Sequence, residues 1–379
     1  MSTMASTLSA TTATSAVVDD SAPVAITFRP NEPRPFLSYV HSMRGLAILA
    51  VVAVHVADAL NFGHSTSFSE RAIYSLFGNA SVLFVFVSGF LFQHLSGKFR
   101  YTTYLTKRLL TIVMPYVVIS VPVLLHQYWR HDDVFRGTDG INPLLVAAHA
   151  LLTGLHMRIP FWYVPMIVPL YVAAPLLLKI DRRRSWYAVI VPLLMMSMLL
   201  HRSREHRLVW QSTLYFLPVY LTGMWASSYR ERVLSFVGRY RWLIGATVFT
   251  LWLYQLTHHQ YGGPIFSLRP FSTEAGVLDL DLLTKLMAAV LMVELLRRHD
   301  RIVRDWFRRL AETSFGIFFV HGPVLAVLQG LARRKLPGPA HYGVGIWLLG
   351  TVAVISISMG SIRLIQRLLG DRSRYVIGC

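Results

Sequence analysis

Residues 38–60 read SYVHSMRGLAILAVVAVHVADAL, and this stretch decides the fold. Between Arg44 and His55 every residue is apolar or glycine. A bilayer core of ~30 Å needs ~20 mostly apolar residues in one helix, so 38–60 is predicted to cross a membrane. Arg44 and His55 stand eleven positions apart. At ~100° per residue they fall within ~20° of one helix face, ~16 Å apart along the axis. That face carries an arginine at the inner boundary and an imidazole near mid-bilayer. Asp58, one turn further out, is placed to orient the His55 ring. An ionisable residue at membrane depth is a functional candidate by default. The blander alternatives are an interhelical hydrogen-bonding group for His55 and a boundary anchor for Arg44.

The rest of the chain repeats the pattern. Of 379 residues, 54% are hydrophobic and 15% charged, where a soluble domain carries roughly a quarter charged. Mean hydropathy is +0.47. Apolar runs recur at roughly 38–60, 74–95, 104–128, 161–180, 186–200, 209–228, 241–257, 277–297, 311–332 and 342–368. A shorter run, 142–155, suits an interfacial or re-entrant piece. The expected fold class is all-α, a polytopic membrane helix bundle of about ten transmembrane helices. Residues 1–35 read as a disordered cytoplasmic tail and lack the pattern of a secretory signal. Residues 36–370 form one transmembrane domain, and 371–379 a short cytoplasmic tail. No internal repeat is visible, which weighs against secondary transporters.

The net charge is +18. In a soluble chain this suggests nucleic acid, but here the basic residues lie between apolar runs and follow the positive-inside rule. No nucleic-acid partner is expected. With both termini inside, the inner segments hold 25 Lys and Arg and the outer loops 11, with Lys285 inside a span. The cluster at Arg333, Arg334 and Lys335 runs against that bias. Cys379 is the one cysteine, so neither a disulfide framework nor a cysteine metal site can form within the chain, and no metal is expected.

Further candidates lie along the chain. Ser88, in FVFVSGFL, is either a polar group at a site or half of a Ser-Gly pair that lets helices approach. His321 sits ten residues into a span entered at Ala311, ~15 Å deep, which matches the depth of His55. The two can line one cavity, or His321 can be a structural contact. Phe161, Trp162 and Tyr163 open a span bearing Pro165, Pro169 and Pro175. They read as an interfacial belt or a cavity wall. Asp281 and Lys285, four apart, are expected to neutralise each other. Lys107 with Arg108, or Arg182 to Arg184, suits a phosphate-bearing donor, if these are not snorkelling anchors.

Together these pieces resemble the acyltransferase-3 family of membrane proteins, especially its bacterial exopolysaccharide O-acetyltransferases. The resemblance covers residues 36–330. It rests on "RGLAILAVVAVH" with Arg44 and His55, "FVFVSGFLF" at 84–92 and "YLTKRLLTIVMPY" at 104–116. "FWYVPMIVPLYVAAPLL" at 161–177, "YLTGMWAS" at 220–227 and "SFGIFFVHGPVL" at 314–325 follow in order. Thr111 stands where many relatives have a second arginine, and the extracytoplasmic esterase-like domain of some relatives is missing.

The resemblance implies transfer of an acyl group, acetyl above all, from cytoplasmic acetyl-CoA (acyl-CoA) to a cell-surface or exopolysaccharide sugar hydroxyl. No permanently bound cofactor is implied. The other expected partners are membrane lipid, a glycan or lipid-linked sugar and the polysaccharide biosynthesis machinery, and the expected place is a bacterial cytoplasmic membrane. A neutral imidazole suits taking the hydroxyl proton, so His55 is the expected base, or an acyl carrier, with Asp58 its orienter and Arg44 near the donor. Arg44, Lys107 and Arg108 are the expected donor-binding residues. His321, Ser88 and Trp162 are expected to stabilise the oxyanion or position the acceptor. Competing readings are a transporter or flippase of lipid-linked sugar and a scaffold subunit of a polysaccharide synthase complex.

The orientation is testable. A cysteine in loop 61–72 is expected to react with an impermeant thiol reagent on intact cells, and Cys379 is not. Labelling of Cys379 alone reverses the topology.

Overall fold

The computed structural model describes residues 36–138, 140–157, 161–203, 208–258, 266–267, 278–335 and 343–379. Among them the chain is almost wholly helical, apart from a two-residue parallel pairing of Arg202–Ser203 with Phe266–Ser267. The first predicted span is a single helix, α1 (Ser38–Ala59). Val40, Met43, Ala47, Ile48, Val52 and Ala57 on it are buried, so α1 sits inside the bundle. Helices α2 (Phe68–Phe77) and α3 (Ser81–His94) follow, parted at Asn79, whose φ is +53°.

Helix α4 (Tyr101–Arg108) runs through a five-residue π turn, Leu109–Val113, into α5 (Met114–Arg130). Helix α6 (Pro143–Thr153) starts where the Asn142 side chain accepts the Leu144 N–H at 2.9 Å and stops at Gly154, φ +76°. Beyond it, the buried His156 ring spans from the Ala150 carbonyl (3.1 Å) to the Ser120 hydroxyl (2.7 Å). Burial pushes this imidazole down to about 4, so it is a neutral tie between α5 and α6.

Helices α7 (Tyr163–Val172) and α8 (Ala174–Arg182) meet at a 59° bend. Pro175 in the first turn of α8 has no N–H to continue the helical ladder. The chain continues through α9 (Ile190–Leu200), α10 (Val209–Ser228), α11 (Arg230–Thr257) and α12 (Leu280–Arg298). Helices α13 (Asp300–Glu312), α14 (Ser314–Lys335), α15 (Gly343–Leu369) and α16 (Ser373–Ile377) complete it.

A helix stands at every position where the sequence predicts a span. Five helical stretches are long and apolar enough to cross a membrane: Ser38–Ala59, Phe68–His94, Tyr101–Arg130, Ser314–Ala332 and Gly343–Ile377. The bent α7–α8 pair makes a sixth. The expected ten are therefore not established among the described residues. Helix α9 has eleven residues, and α12 carries Asp281, Lys285 and Glu294.

Two features had no counterpart in the sequence reading. Helix α13 runs beside the first half of α1 in the same direction. Ser38 Oγ donates to Asp300 Oδ2 at 2.6 Å, and a Cβ on Gly45 would lie 2.8 Å from the Phe307 carbonyl oxygen. Residues 371–379, expected as a tail, fold back instead. Ser373 Oγ donates to the Cys379 carbonyl at 2.8 Å, Ile377 is buried, and Cys379 Sγ packs under Gly316. Exposed Asp371 is accordingly a better labelling position than Cys379 for the orientation test.

The tightest helix crossing joins α3 to α10. A Cβ on Gly89 would lie 2.9 Å from the Tyr220 carbonyl carbon and closer still to its oxygen; one on Gly223 would lie 2.9 Å from the Phe90 nitrogen. With lipid as apolar as the side chains, such close approach and its van der Waals contact hold helices together. Gly89→Ala is expected to destabilise the fold by ~1–3 kcal/mol, the usual cost of overpacking. Gly330→Ala, where a Cβ meets nothing within 4 Å, is expected to be neutral. Melting of both variants in detergent checks this.

Candidate active site

Helices α1 and α14 lie side by side and carry the first constellation. Near their N-terminal ends Arg44 Nη2 donates to Ser314 Oγ at 2.9 Å, with the guanidinium 5.1 Å from the Phe315 ring centroid. Seven residues beyond Ser314, ~10 Å along the helix, His321 meets His55. Their ring centroids are 5.5 Å apart and their planes 14° from parallel. The structure therefore brings together the two histidines that the depth estimate aligns.

The pair has defined proton positions on one side. His321 is buried, and its Nδ1 lies 2.8 Å from the Ile317 carbonyl oxygen. A carbonyl only accepts, so Nδ1 carries the hydrogen. Nε2 of the neutral ring then holds a lone pair, and it is buried without a partner. Such an atom costs ~1–3 kcal/mol to leave unpaired and has the chemistry to accept a hydrogen. It accepts a hydrogen bond or a proton and cannot donate to an oxyanion. Of the roles offered for His321, acceptor positioning fits this geometry. His55 Nδ1 is 3.5 Å from the half-exposed Asp58 carboxylate, without a hydrogen bond. Asp58 stands beside the ring but does not clamp it here.

Ser88 joins the pair through two aromatic rings. Its Oγ is 3.4 Å from Tyr163 Oη, Tyr163 packs edge-on to Phe318 at 5.4 Å, and Phe318 is 6.3 Å from His321. One of the two hydroxyl hydrogens fills the Ser88–Tyr163 contact, and the other is left to donate to a ligand oxygen. Gly89, next to Ser88, is the close-approach residue, as the packing reading of the Ser-Gly pair expects.

Trp162 belongs elsewhere. The Arg202 guanidinium lies 3.9 Å over its ring, and Arg202 Nη1 donates to Asn79 Oδ1 at 3.4 Å. Asn79 Nδ2 donates to Asp281 Oδ2 at 3.0 Å, and Tyr215 Oη to Asp279 Oδ2 at 2.8 Å. This buried network was not foreseen, because its members are scattered through four segments. Lys285 does approach Asp281, at 4.0 Å, but donates at 2.7 and 2.8 Å to the Ser75 and Leu76 carbonyls.

A cleft of about 540 Å³ opens on the side counted as inner. Lys98, Arg100, Lys107, Arg108 and Arg374 line it, with Thr103, Tyr104 and Thr111. Arg108 is held between Tyr104 (5.3 Å) and Tyr171 (5.4 Å), immediately before the π turn. Helix α7 thus carries Tyr171 at the cleft and, ~12 Å along its axis, Tyr163 beside Ser88. Of the predicted donor-binding residues, Lys107 and Arg108 line the cleft and Arg44 does not; it is held by Ser314. The other basic cluster stays outside, Arg183 over Trp186 at 5.1 Å and Arg184 over Tyr229 at 5.4 Å. Among the described residues no group of three or more His, Cys, Asp or Glu is placed for a metal ion.

A family model described as an acyltransferase domain matches residues 37–363. No curated protein and no solved structure matches the chain.

The histidine contact is directly testable. With Cys379 replaced by serine, cysteines at positions 55 and 321 are expected to crosslink with a short bifunctional reagent. A folded protein that fails to crosslink at any reagent length places the two side chains in separate environments.

Proposed function

The chain belongs to the acyltransferase-3 family of membrane proteins, and on that premise we propose that it transfers an acyl group, acetyl in the first instance, from cytoplasmic acyl-CoA to a sugar hydroxyl of a cell-surface or exopolysaccharide glycan. The observation that carries this reading is the stacked His55–His321 pair with its unpartnered Nε2. A tyrosine-bearing helix connects its surroundings to a cationic cleft.

In this reading one hydroxyl of the acceptor sugar donates its hydrogen to His321 Nε2, and the attacking hydroxyl beside it directs its own hydrogen to His55. His55 takes the proton as the oxygen attacks the thioester carbonyl carbon. The Ser88–Tyr163 pair donates its spare hydrogen to the carbonyl oxygen as charge develops there. The C–S bond then breaks, and the thiolate recovers the proton from His55. Lys107 and Arg108 hold the donor's phosphates from the inner side, where a planar guanidinium and a point charge suit that anion. Arg44 fixes α1 against α14 through Ser314, so its part is to hold the two histidines in register. Acyl-CoA consumption by the purified protein separates this reading from a flippase or a scaffold, neither of which consumes the thioester.

His55→Ala and His55→Gln are expected to stay folded and inserted, with melting close to the parent. Transfer is expected to fall by ~10²–10⁴ in both, the usual share of general acid–base catalysis. Glutamine keeps size and hydrogen bonding but cannot take a proton at that position. A glutamine variant with near-normal acyl-CoA turnover removes His55 from the chemistry. His321→Gln, which can still meet a hydroxyl, is expected to raise KM for the acceptor more than it lowers kcat.

A further inference from the structure

Beyond residue 363, where the family match ends, the chain still contributes to the cationic cleft. After Gly370, φ +55°, it turns back and inserts residues 373–378 between the π turn and α14. Ser373 and Ile377 are buried. Gly378, φ +78°, lies so close that a Cβ there would be 3.1 Å from the Thr111 carbonyl oxygen and 3.2 Å from the Phe319 ring. The hook is thus anchored on both flanks, and Arg374 projects from it, exposed, onto the cleft.

The cleft's composition is one-sided. Five cations converge on it and no carboxylate lines it. Like charges gathered in a concavity repel one another unless an anion joins them, and a cleft focuses their field on that anion. Snorkelling anchors spread outward to lipid headgroups; these five come from three separate segments to one hollow. Arg108 is fixed between two tyrosines, and the backbone that bears Arg374 is fixed by the buried hook, with the exposed Arg374 guanidinium 5.0 Å from the Tyr375 ring centroid. Phe92, Phe99 and Tyr104, with ring centroids 5.3–5.9 Å apart, form an aromatic wall beside them. The volume, about 540 Å³, is within the range of pockets for nucleotide-sized ligands.

We propose that the returning segment is part of the donor site, and that Arg374, with Lys98 and Arg100, grips the phosphates of the donor's nucleotide portion at the cleft mouth. This rests on the acyl-CoA reading above. It adds a contact from residues that the family match does not reach, so donor affinity depends on the packing of 370–379 against Thr111 and Phe319.

The test uses the full chain purified into phosphatidylcholine nanodiscs, with adenosine 3′,5′-bisphosphate as probe and acetyl-CoA consumption measured in parallel. Arg374→Ala is expected to weaken bisphosphate binding at least ~10-fold, the loss of one charge-assisted hydrogen bond. Arg374→Lys is expected to recover part of it, and neither variant to change the melting temperature. Consumption of acetyl-CoA should show a raised KM with kcat kept. Equal binding by parent and Arg374→Ala, or no binding by the parent, overturns the proposal; acetyl-CoA consumption in that case leaves the acyltransferase reading standing. Bisphosphate binding that depends on Arg374 without any acetyl-CoA consumption does the reverse. Nanodiscs containing phosphatidylglycerol decide the source of the phosphate. Unchanged binding supports the nucleotide, and abolished binding assigns the cleft to a lipid headgroup and overturns the proposal.

Discussion

The contact between α3 and α10 through Gly89 and Gly223 is the constraint on which much of the rest depends. Neither glycine can acquire a Cβ without striking the other helix's backbone. Two backbones at such range fix the rotation of both helices. That rotation sets Ser88 toward Tyr163 and, one turn further along the same face of α3, carries Phe92 to Tyr104 and Tyr220. The cleft and the hydroxyl pair therefore share one mechanical origin. Because lipid gives no hydrophobic drive between helices, a crossing of this kind has to rest on surface fit.

Polar groups in the bundle follow a second rule, that each must find a partner or remain as a cost. Arg44 has Ser314, Lys285 has two backbone carbonyls, and the buried Glu294 carboxylate receives Arg297 at 2.8 Å and Arg298 at 3.2 Å. His156 is matched at both nitrogens. His55 Nδ1 and His321 Nε2 are among the buried atoms left without a partner, and these two belong to one stacked pair. The His321 ring has the same chemistry as the matched ring of His156 but lacks the second partner.

What the sequence made legible was local. The run from Arg44 to His55, the Ser-Gly pair and the helix positions all follow from periodicity and run length, and so does the matching depth of His55 and His321. The family followed from the order of short motifs. What stayed hidden was assembled from distant segments. Lys98 and Arg100 read as ordinary inner-loop charges, although Lys107 and Arg108, read as a donor site, stand within ten residues of them; Arg374 read as part of a tail, with nothing within ten residues to signal the hollow. Tyr163 read, with Phe161 and Trp162, as part of an interfacial belt or a cavity wall, because its partner Ser88 lies 75 positions away. The count of ten spans is not established among the described residues. Helix α12, for example, carries Asp281, Lys285, Glu294, Arg297 and Arg298, which lowers the apolarity that a span is recognised by.

The π turn at Leu109–Val113 has a consequence of its own. A π turn accommodates one residue more than the α-helical ladder allows. Everything before it is rotated against everything after it by about one residue's worth of arc, ~100°. Here the turn separates Arg108, clasped by tyrosines, from α5, whose Ser120 and Gln127 are committed to His156. Each half answers to a different set of neighbours, and the surplus residue lets both be satisfied at once. Deleting a single residue from this turn would restore a regular helix and yet put its two ends out of phase. The structure is thus more tolerant of changed side chains at 109–113 than of a changed number of them.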